Sequence, residues 1–165
     1  MTPVRRRVAV LHGVNLDQLG RRPKAVYGDL TFDKLERQIG VFATALDLDP
    51  RFFQTNDEGE FVGHLHRLDG MVDAIVINPG AWTHYAWAIH DALEIAALPS
   101  VEVHLSDIMA REEWRRISVV RDLCVATISG QGVDGYRDAL VRIKQELSPS
   151  MSAPTSSPLQ EEPQK

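Results

Sequence analysis

The chain has 165 residues, of which 44% are hydrophobic and 25% are charged, a composition typical of a globular protein with one domain. Its formal net charge is −5 and its basic residues form no dominant stripe, so nucleic acid is not an expected partner. No apolar stretch approaches the roughly 18 residues of a membrane span and no export signal is visible at the N-terminus, so the expected location is the cytoplasm.

Five short segments are predicted to form β-strands. Most are continuous runs of β-branched and other apolar residues, without the alternation of polar and apolar side chains that a half-exposed strand shows. Such runs are typical of parallel strands that are covered on both faces of the sheet. In chain order the predicted strands are residues 8–11, 51–54 (the weakest pattern), 74–77, 101–105 and 124–128.

Helical patterns separate the strands. Apolar residues at intervals of three and four predict helices with one buried face, and Thr31 is a suitable N-cap for the first of them. The alternation predicts an α/β fold with a doubly wound, five-stranded parallel sheet in the flavodoxin-like order 2-1-3-4-5 and helices on both faces. The helices are predicted at residues 31–48, 59–68, 84–98 and 133–147, with a short helix between the last two strands.

The composition changes near the C-terminus. Residues 148–165 contain four prolines and five serines, so they cannot bury enough apolar surface to form a core and are predicted to be disordered. Residues 1–147 are predicted to form the single domain. The only cysteine, Cys124, lies in an apolar run and is expected to be a small core residue. It cannot form an intramolecular disulfide, which fits a reducing compartment.

In a sheet of this kind ligands bind beyond the carboxyl ends of the strands, beside the first strand. The segment that follows the first predicted strand, residues 12–28, is long for such a connection, and long loops are often lids or binding loops. It contains Arg21, Arg22 and Tyr27. A nearby positive charge favours a phenolate, so Tyr27 is a candidate base; a surface loop with a packed tyrosine is the alternative.

Polar residues also follow the third predicted strand. Asn78 lies where that strand ends, and its amide can fix a hydroxyl group. Thr83 and His84 are predicted to open the next helix, whose first N–H groups and dipole favour an anion. An ordinary turn with a helix N-cap would explain the same residues without a ligand.

Glu102 and His104 lie two positions apart in the fourth predicted strand, so they face the same side of the sheet. A carboxylate in that position can orient the imidazole and keep it protonated, which is the arrangement of a general acid. A buried glutamate without a partner is unfavourable, so packing alone explains the pair poorly. His64 and His66 do not share a helix face, and no other metal-binding spacing occurs, so no metal is predicted.

Several motifs occur in one order along the chain. They are Gly13-x-Asn15-Leu16, Leu19-Gly20-x-Arg22, Tyr27-Gly28, Gln54-x-Asn56-x-Glu58-Gly59-Glu60, Val76-Ile77-Asn78-Pro79-Gly80-Ala81-x-Thr83-His84, Asp91-Ala92-Leu93, Glu102-Val103-His104-Leu105-Ser106, Ala110-Arg111-Glu112-Glu113 with Arg115, and Gly130-x-Gly132 with Gly135-Tyr136. Over roughly residues 7–147 the chain resembles the type II 3-dehydroquinate dehydratases, and several blocks matching in order are far more specific than any single one.

The resemblance implies a flavodoxin-like subunit that assembles as a dodecamer of trimers. It implies removal of water from 3-dehydroquinate to give 3-dehydroshikimate, by anti elimination through an enolate and without a cofactor. By the same resemblance Tyr27, activated by Arg22, takes the proton beside the ketone, and His104, oriented by Glu102, protonates the leaving hydroxyl. The remaining residues that it implies are Asn78, His84, Leu105, Ser106 and Arg115 for binding the substrate, Arg111 for supporting the lid or the tyrosine, and Asp91 of a neighbouring subunit.

The chain departs from the family's pattern at several positions, including Val14, Asp17, Gln18, Met109 and residues 117–119, and two further departures bear directly on the expected site. The first Asn of the family's Asn-Gly-Pro-Asn-Leu-Asn loop, which the resemblance associates with the water or oxygen at the enolate, is His12 here, whereas Asn15 is retained. The usual Asn after Ser106 is Asp107. Pro23 also lies one residue earlier than usual, so the pocket arginine is either Arg21 or Arg22.

Three interpretations stay open. In the first, His12 replaces the amide as a hydrogen-bond donor and the substrate is unchanged. In the second, His12 and Asp107 retune the pocket for a related ring, such as an amino-substituted dehydroquinate, because charge placement discriminates strongly between ligands. In the third, the chain is a noncatalytic relative that binds a small molecule, since fold alone does not fix function.

Overall fold

A five-stranded parallel sheet forms the centre of the computed structural model, which describes residues 4–148. The sheet order is β2-β1-β3-β4-β5, so the predicted fold class and strand order are confirmed. The last residue of β1, His12, is level with Gln54 of β2 and with Asn78 of β3. The strands are β1 Arg6–His12, β2 Leu48–Gln54, β3 Ala74–Asn78, β4 Ser100–His104 and β5 Ala126–Ser129.

Helices cover the sheet, and three of the four predicted long helices begin within one residue of the predicted position. The Thr31 hydroxyl accepts a hydrogen bond from the backbone N–H of Lys34 at 3.3 Å, which confirms the predicted N-cap. Asp57 caps the following long helix in the same way, accepting from the backbone N–H of Glu60 at 2.8 Å. The helices are α1 Lys24–Tyr27, α2 Phe32–Ala45, α3 Glu58–His66, α4 Trp87–Ala96 and α5 Asp134–Glu146.

Side chains that alternate along the strands build two apolar layers. Val8 and Val10 of β1 pack in one layer with α2 and α5, whereas Ala9 and Leu11 pack in the other layer with α3 and α4. All four of these side chains are at most 1% exposed. The continuous apolar runs in the sequence follow from this arrangement, because both faces of the central strands are covered.

The helix predicted at residues 84–98 begins later than expected. The chain after β3 first makes a 3-10 turn at Gly80–His84, and α4 begins only at Trp87. Gly80 has a φ of +67°, and a Cβ atom there would lie 2.5 Å from the carbonyl oxygen of Val14. The turn therefore packs directly beneath the loop that follows β1. The prediction that Thr83 and His84 open the helix is wrong, and with it the anion site at a helix N-terminus: Thr83 is fully buried, and its carbonyl accepts from the N–H of Val119 at 2.8 Å.

The segment between β4 and β5 contains 3-10 turns at Ile108–Ala110, Glu113–Arg116 and Arg121–Leu123 instead of one short α-helix. Cys124 precedes β5 and is partly buried against the α3/α4 layer, as expected for a small packing residue. Burial raises the pKa of its thiol to about 12. Between residues 4 and 148, no helix is long and apolar enough to cross a membrane. From residue 149 onward, the predicted tail lies outside the described residues.

Candidate active site

A cavity of about 260 Å³ opens at the carboxyl ends of β1, β3 and β4. This is where a doubly wound sheet is expected to bind ligands. Among the described residues that line it, none is acidic, and its three arginines favour an anionic ligand. The lining residues are Val14, Asn15, Leu16, Gln18, Leu19, Arg22, Tyr27, Asn78, Gly80, Ala81, His84, His104, Leu105, Ser106, Ile108, Arg111 and Arg115.

Two arginines converge on the hydroxyl of Tyr27. Arg22 Nη2 lies 3.2 Å and Arg111 Nη1 lies 3.0 Å from Tyr27 Oη. Arg111 also reaches Ser106 Oγ, at 3.4 Å. Both guanidinium groups can only donate, so the tyrosine oxygen accepts two charge-assisted hydrogen bonds, and a phenolate accepts these more strongly than a phenol does.

The cavity arginine of the first loop is Arg22. Arg21 instead donates from Nη1 to Gln18 Oε1 at 2.9 Å and is exposed. The chain then turns in the short helix α1, where the carbonyl of Pro23 accepts from the N–H groups of Val26 and Tyr27.

Glu102 and His104 form the predicted pair on β4. Glu102 Oε1 accepts from His104 Nε2 at 2.7 Å, and the two side chains are 0% and 6% exposed. Glu102 also accepts from Ser118 Oγ at 2.7 Å and from Thr127 Oγ1 at 2.9 Å. Burial alone would raise the pKa of Glu102, but these bonds outweigh it and the pKa is lowered. An ionised carboxylate therefore holds Nε2, which leaves Nδ1 of His104 as the ring nitrogen available to the cavity.

Asn78 is held from two sides. Its Oδ1 accepts from the backbone N–H of Gly80 at 3.2 Å, and its Nδ2 donates to Tyr136 Oη at 3.0 Å. The same tyrosine oxygen lies 3.1 Å from Nε2 of His12. Tyr136 was not singled out from the sequence as a site residue, although a fully buried tyrosine needs a partner for its hydroxyl.

His12 does not line the cavity, so the prediction that it supplies a hydrogen-bond donor there is wrong. It continues the alternation of Val8 and Val10, and its ring therefore points into the α2/α5 layer, where it packs nearly perpendicular to the ring of Phe32 at a centroid distance of 5.3 Å. Burial lowers its pKa to about 3, so the imidazole is neutral. Asn15 lines the cavity instead.

Asn15 stands in a polar network that the sequence did not predict. Its backbone N–H donates to Asn56 Oδ1 at 2.7 Å, and Asn56 Nδ2 donates to Asp17 Oδ2 at 3.0 Å. Gln18 Nε2 donates to the same Asp17 oxygen at 2.9 Å. Asn15 has a φ of +65°, so these bonds fix an asparagine in the left-handed region within the cavity lining.

The loop after β1 rests on the loop after β3, backbone against backbone. Gly13 donates its N–H to the carbonyl of Asn78 at 2.8 Å. A Cβ atom at Gly13 would lie 2.1 Å from the carbonyl oxygen of Pro79, so only glycine fits at this crossing.

His84 and Arg115 line the cavity from the segments that follow β3 and β4. His84 Nδ1 donates to the carbonyl of Ile117 at 2.6 Å. Burial lowers the pKa of His84 more than this bond raises it, and the nearby charges of His104 and Arg115 act in the same direction as burial. A neutral ring that donates from Nδ1 presents Nε2 as an acceptor. Arg115 is held by Glu112 at 3.0 Å and covers the ring of Trp114.

Asp107 and Asp91, like His12, lie away from the cavity lining. Asp107 Oδ1 accepts from the backbone N–H of Met109 at 3.0 Å, so it caps the 3-10 turn after β4 instead of placing a charge beside a ligand. Asp91 lies on α4 with its side chain 74% exposed and paired with His90. Leu105 and Ser106 do line the cavity. In residues 4–148, no group of three or more histidine, cysteine or acidic side chains is arranged to hold a metal ion.

Comparison with known proteins connects this geometry to one family. The model of the family described as dehydroquinase class II matches residues 6–144. A 3-dehydroquinate dehydratase of Caldicellulosiruptor saccharolyticus is 46% identical over 143 residues, which cover 86% of this chain and 99% of the relative.

Solved structures give the same result. A type II dehydroquinase from Butyrivibrio crossotus superposes with a TM-score of 0.81 at 36% identity, covering 84% of this chain and 97% of that one. The type II dehydroquinase from Propionibacterium acnes superposes with a TM-score of 0.80 at 41% identity, covering 85% and 97% of the two chains.

Proposed function

Because this chain belongs to the class II dehydroquinase family, we propose that its cavity removes water from 3-dehydroquinate to form 3-dehydroshikimate. The protein is thus a hydro-lyase. The observation that carries the proposal is that one cavity contains both Tyr27, with two arginine donors on its oxygen, and His104, with an ionised carboxylate behind it.

Tyr27 is the proposed base. As a phenolate it takes a proton from the carbon next to the ketone, and the electrons of that C–H bond move to the ketone oxygen to form an enolate. The hydrogen bonds from Arg22 and Arg111 support this role, because they stabilise the negative oxygen that has to exist before the proton is taken.

His104 is the proposed acid. The enolate re-forms the ketone and expels the hydroxyl group, which leaves as water with a proton from the imidazolium, and a carbon–carbon double bond conjugated to the ketone remains. Glu102 supports this role because its carboxylate orients the ring and balances the charge that the ring carries when protonated. The two steps together are an anti elimination.

The other lining residues are proposed to bind the substrate. Arg115 and the amide of Asn78 suit its carboxylate and hydroxyl groups, and the neutral ring of His84 suits a hydroxyl donor. Ser106 and the backbone of Leu105 complete this set at the end of β4. The cationic and non-acidic lining supports an anionic ring as the ligand.

The protein is proposed to assemble in the cytoplasm as a dodecamer that is built from trimers. Asp91 supports an assembly, since it is exposed on α4 of its own chain and would complete the site only as a residue of a neighbouring copy. The single, unpaired cysteine agrees with a reducing compartment.

The modified ring is not favoured as substrate. That interpretation depended on His12 and Asp107 changing the charge beside the ligand, and neither side chain lines the cavity. A noncatalytic role is not favoured either, because simple binding does not require a tyrosine held by two arginines together with a buried Glu–His pair.

The test is an ultraviolet assay of enone formation by the purified full chain with 3-dehydroquinate, without added metal. Steady turnover is expected, and Tyr27→Phe is expected to lose nearly all of it while keeping the fold. Tyr85→Phe is the matched control, since Tyr85 is exposed and lies outside the cavity lining. Absence of turnover in the folded, assembled protein, or full turnover in Tyr27→Phe, would contradict the proposal.

A further inference from the structure

We propose that His12 is a positioning residue: acting through Tyr136, it fixes the direction in which the amide of Asn78 presents an N–H group to the cavity. The three side chains form one buried chain of hydrogen bonds that ends at the cavity lining. The effect on turnover rests on the proposed function, whereas the hydrogen-bond directions can be measured without it.

The direction of the hydrogen bonds can be read from Gly80. A backbone N–H can only donate, so the Asn78 atom that lies 3.2 Å from it is the side-chain oxygen. The amide nitrogen of Asn78 therefore faces Tyr136 and donates to its oxygen at 3.0 Å. One of the two amide N–H bonds is used in this way, and the second remains for an oxygen atom of a ligand.

Tyr136 links the amide of Asn78 to the imidazole of His12. Its oxygen accepts from Asn78, so its only hydrogen is free to be donated to Nε2 of His12, 3.1 Å away. Nε2 must then carry a lone pair, and the ring proton must lie on Nδ1. Burial of His12 keeps the ring neutral, as this arrangement requires.

The alternative is the reversed orientation of the Asn78 amide, which His12 disfavours. If the amide of Asn78 were reversed, its NH₂ group would face the N–H of Gly80, and its oxygen would accept the Tyr136 hydrogen. A side chain at position 12 that cannot accept a hydrogen bond leaves the Tyr136 hydrogen without a partner there, which favours the reversed state. An acceptor on His12 therefore selects the orientation that offers N–H to the cavity.

The burial of His12 and Tyr136 limits the hydrogen-bond partners that are available to them. His12 and Tyr136 are both 0% exposed, and the ring of Phe32 packs nearly perpendicular to the imidazole. Nδ1 of His12 has no hydrogen-bond partner among residues 4–148. In the proposed tautomer this nitrogen carries the hydrogen, so the arrangement accepts the cost of one unsatisfied N–H in return for an acceptor at Nε2.

The first experiment reads the tautomer directly. Full-length, assembled protein carrying ¹⁵N-labelled histidine is studied by solid-state nuclear magnetic resonance, and the His12 signals are assigned by their loss in His12→Gln. The expected result is a neutral ring with hydrogen on Nδ1 and a bare Nε2 that accepts from Tyr136. Hydrogen on Nε2, or a protonated ring at neutral pH, would overturn the proposal.

The second experiment separates acceptor chemistry from packing. The amide of glutamine reaches about as far as Nε2 of histidine and can accept from Tyr136, whereas leucine fills similar space without an acceptor. His12→Leu is expected to lower kcat/KM by about 10- to 100-fold, as for a misplaced binding group, and His12→Gln is expected to restore most of this loss. Adding Tyr136→Phe to His12→Leu should lower kcat/KM little further, because the chain is already broken.

The matched control is Phe32→Leu, which changes the packing around the ring but none of its hydrogen bonds. It is expected to keep wild-type kcat/KM. Folded His12→Leu with wild-type kcat/KM, or equal losses in His12→Leu and His12→Gln, would overturn the inference. If the wild-type chain has no turnover, the proposed function fails, and the tautomer of His12 measured by nuclear magnetic resonance still decides this inference.

Discussion

Arg111 Nη1 lies 3.0 Å from Tyr27 Oη, although 84 residues separate them in the sequence. The first loop places Tyr27 over the cavity, and the loop after β4 brings the arginine to meet it. The tyrosine thus depends on two loops for its two donors, because Arg22 belongs to the same loop as Tyr27 and Arg111 to the other.

Removing one of these donors is expected to slow the chemical step. Arg22→Ala should lower kcat by about 100-fold or more, the usual effect of losing one donor to a catalytic oxyanion, with Arg111 providing the residual activity. The neighbouring Arg21→Ala is the control, since Arg21 is exposed and does not itself line the cavity. Steady-state kinetics of the two variants test this expectation. Equal losses of kcat in both would contradict the assignment of Arg22 as a donor to Tyr27.

Ser118 is expected to influence the acid through Glu102. Ser118→Ala removes one of the hydrogen bonds that lower the pKa of Glu102, so that pKa should rise and the acidic limb of the pH–rate profile should move to higher pH. The loss should also lower the free energy of unfolding by about 1–3 kcal/mol, as for a buried hydrogen bond. Thr44→Val, on an exposed helix face, is the control. An unchanged pH–rate profile would show that Ser118 only packs.

His12 is expected to make the fold sensitive to acid. Folding lowers its pKa from 6.5 to about 3. Between these two pH values the imidazole therefore binds a proton in the unfolded chain but not in the folded chain. Stability from this group is therefore complete above pH 6.5 and decreases by about 1.4 kcal/mol for each pH unit below 6.5 until the folded pKa is reached.

Urea unfolding between pH 7 and about pH 4 measures this slope. His12→Gln should flatten it, while His66→Gln, at an exposed position on α3, should leave it unchanged. An unchanged slope in His12→Gln would show that the acid sensitivity arises at other groups.

Asp91 is expected to act across a subunit boundary. Asp91→Asn and Tyr27→Phe should each be nearly inactive as pure assemblies, the first because every neighbour lacks the carboxylate. Co-assembly of equal amounts should restore about a quarter of the sites, those that combine an intact Tyr27 with an intact neighbouring Asp91. The mixed assembly is purified through two different affinity tags and assayed. No recovery would show that Asp91 does not serve a neighbouring site.

The sequence predicted the sheet well, because buried parallel strands leave continuous apolar runs such as residues 74–77. It also predicted the Glu102–His104 pair, because a period of two places both side chains on one face. The same period could have shown that His12 shares the buried face of Val8 and Val10, but the family position suggested a cavity role instead.

Other features depended on contacts that no local pattern contains. Ser118 and Thr127 reach Glu102 from separate segments, and only the demand of a buried carboxylate for several donors hints that such partners exist. The late start of α4 followed from Gly80 packing beneath Val14, a contact between two loops far apart in sequence.

The crossing of Gly13 over Pro79 has a mechanical consequence. Since the loops after β1 and β3 touch through their main chains at this point, a shift of one loop is transmitted to the other, which couples the positions of Asn15 and Asn78. The part of the first loop that carries Arg22 and Tyr27 lies beyond this crossing and is tied to the loop after β4 instead, through the hydrogen bond between Arg111 and Tyr27.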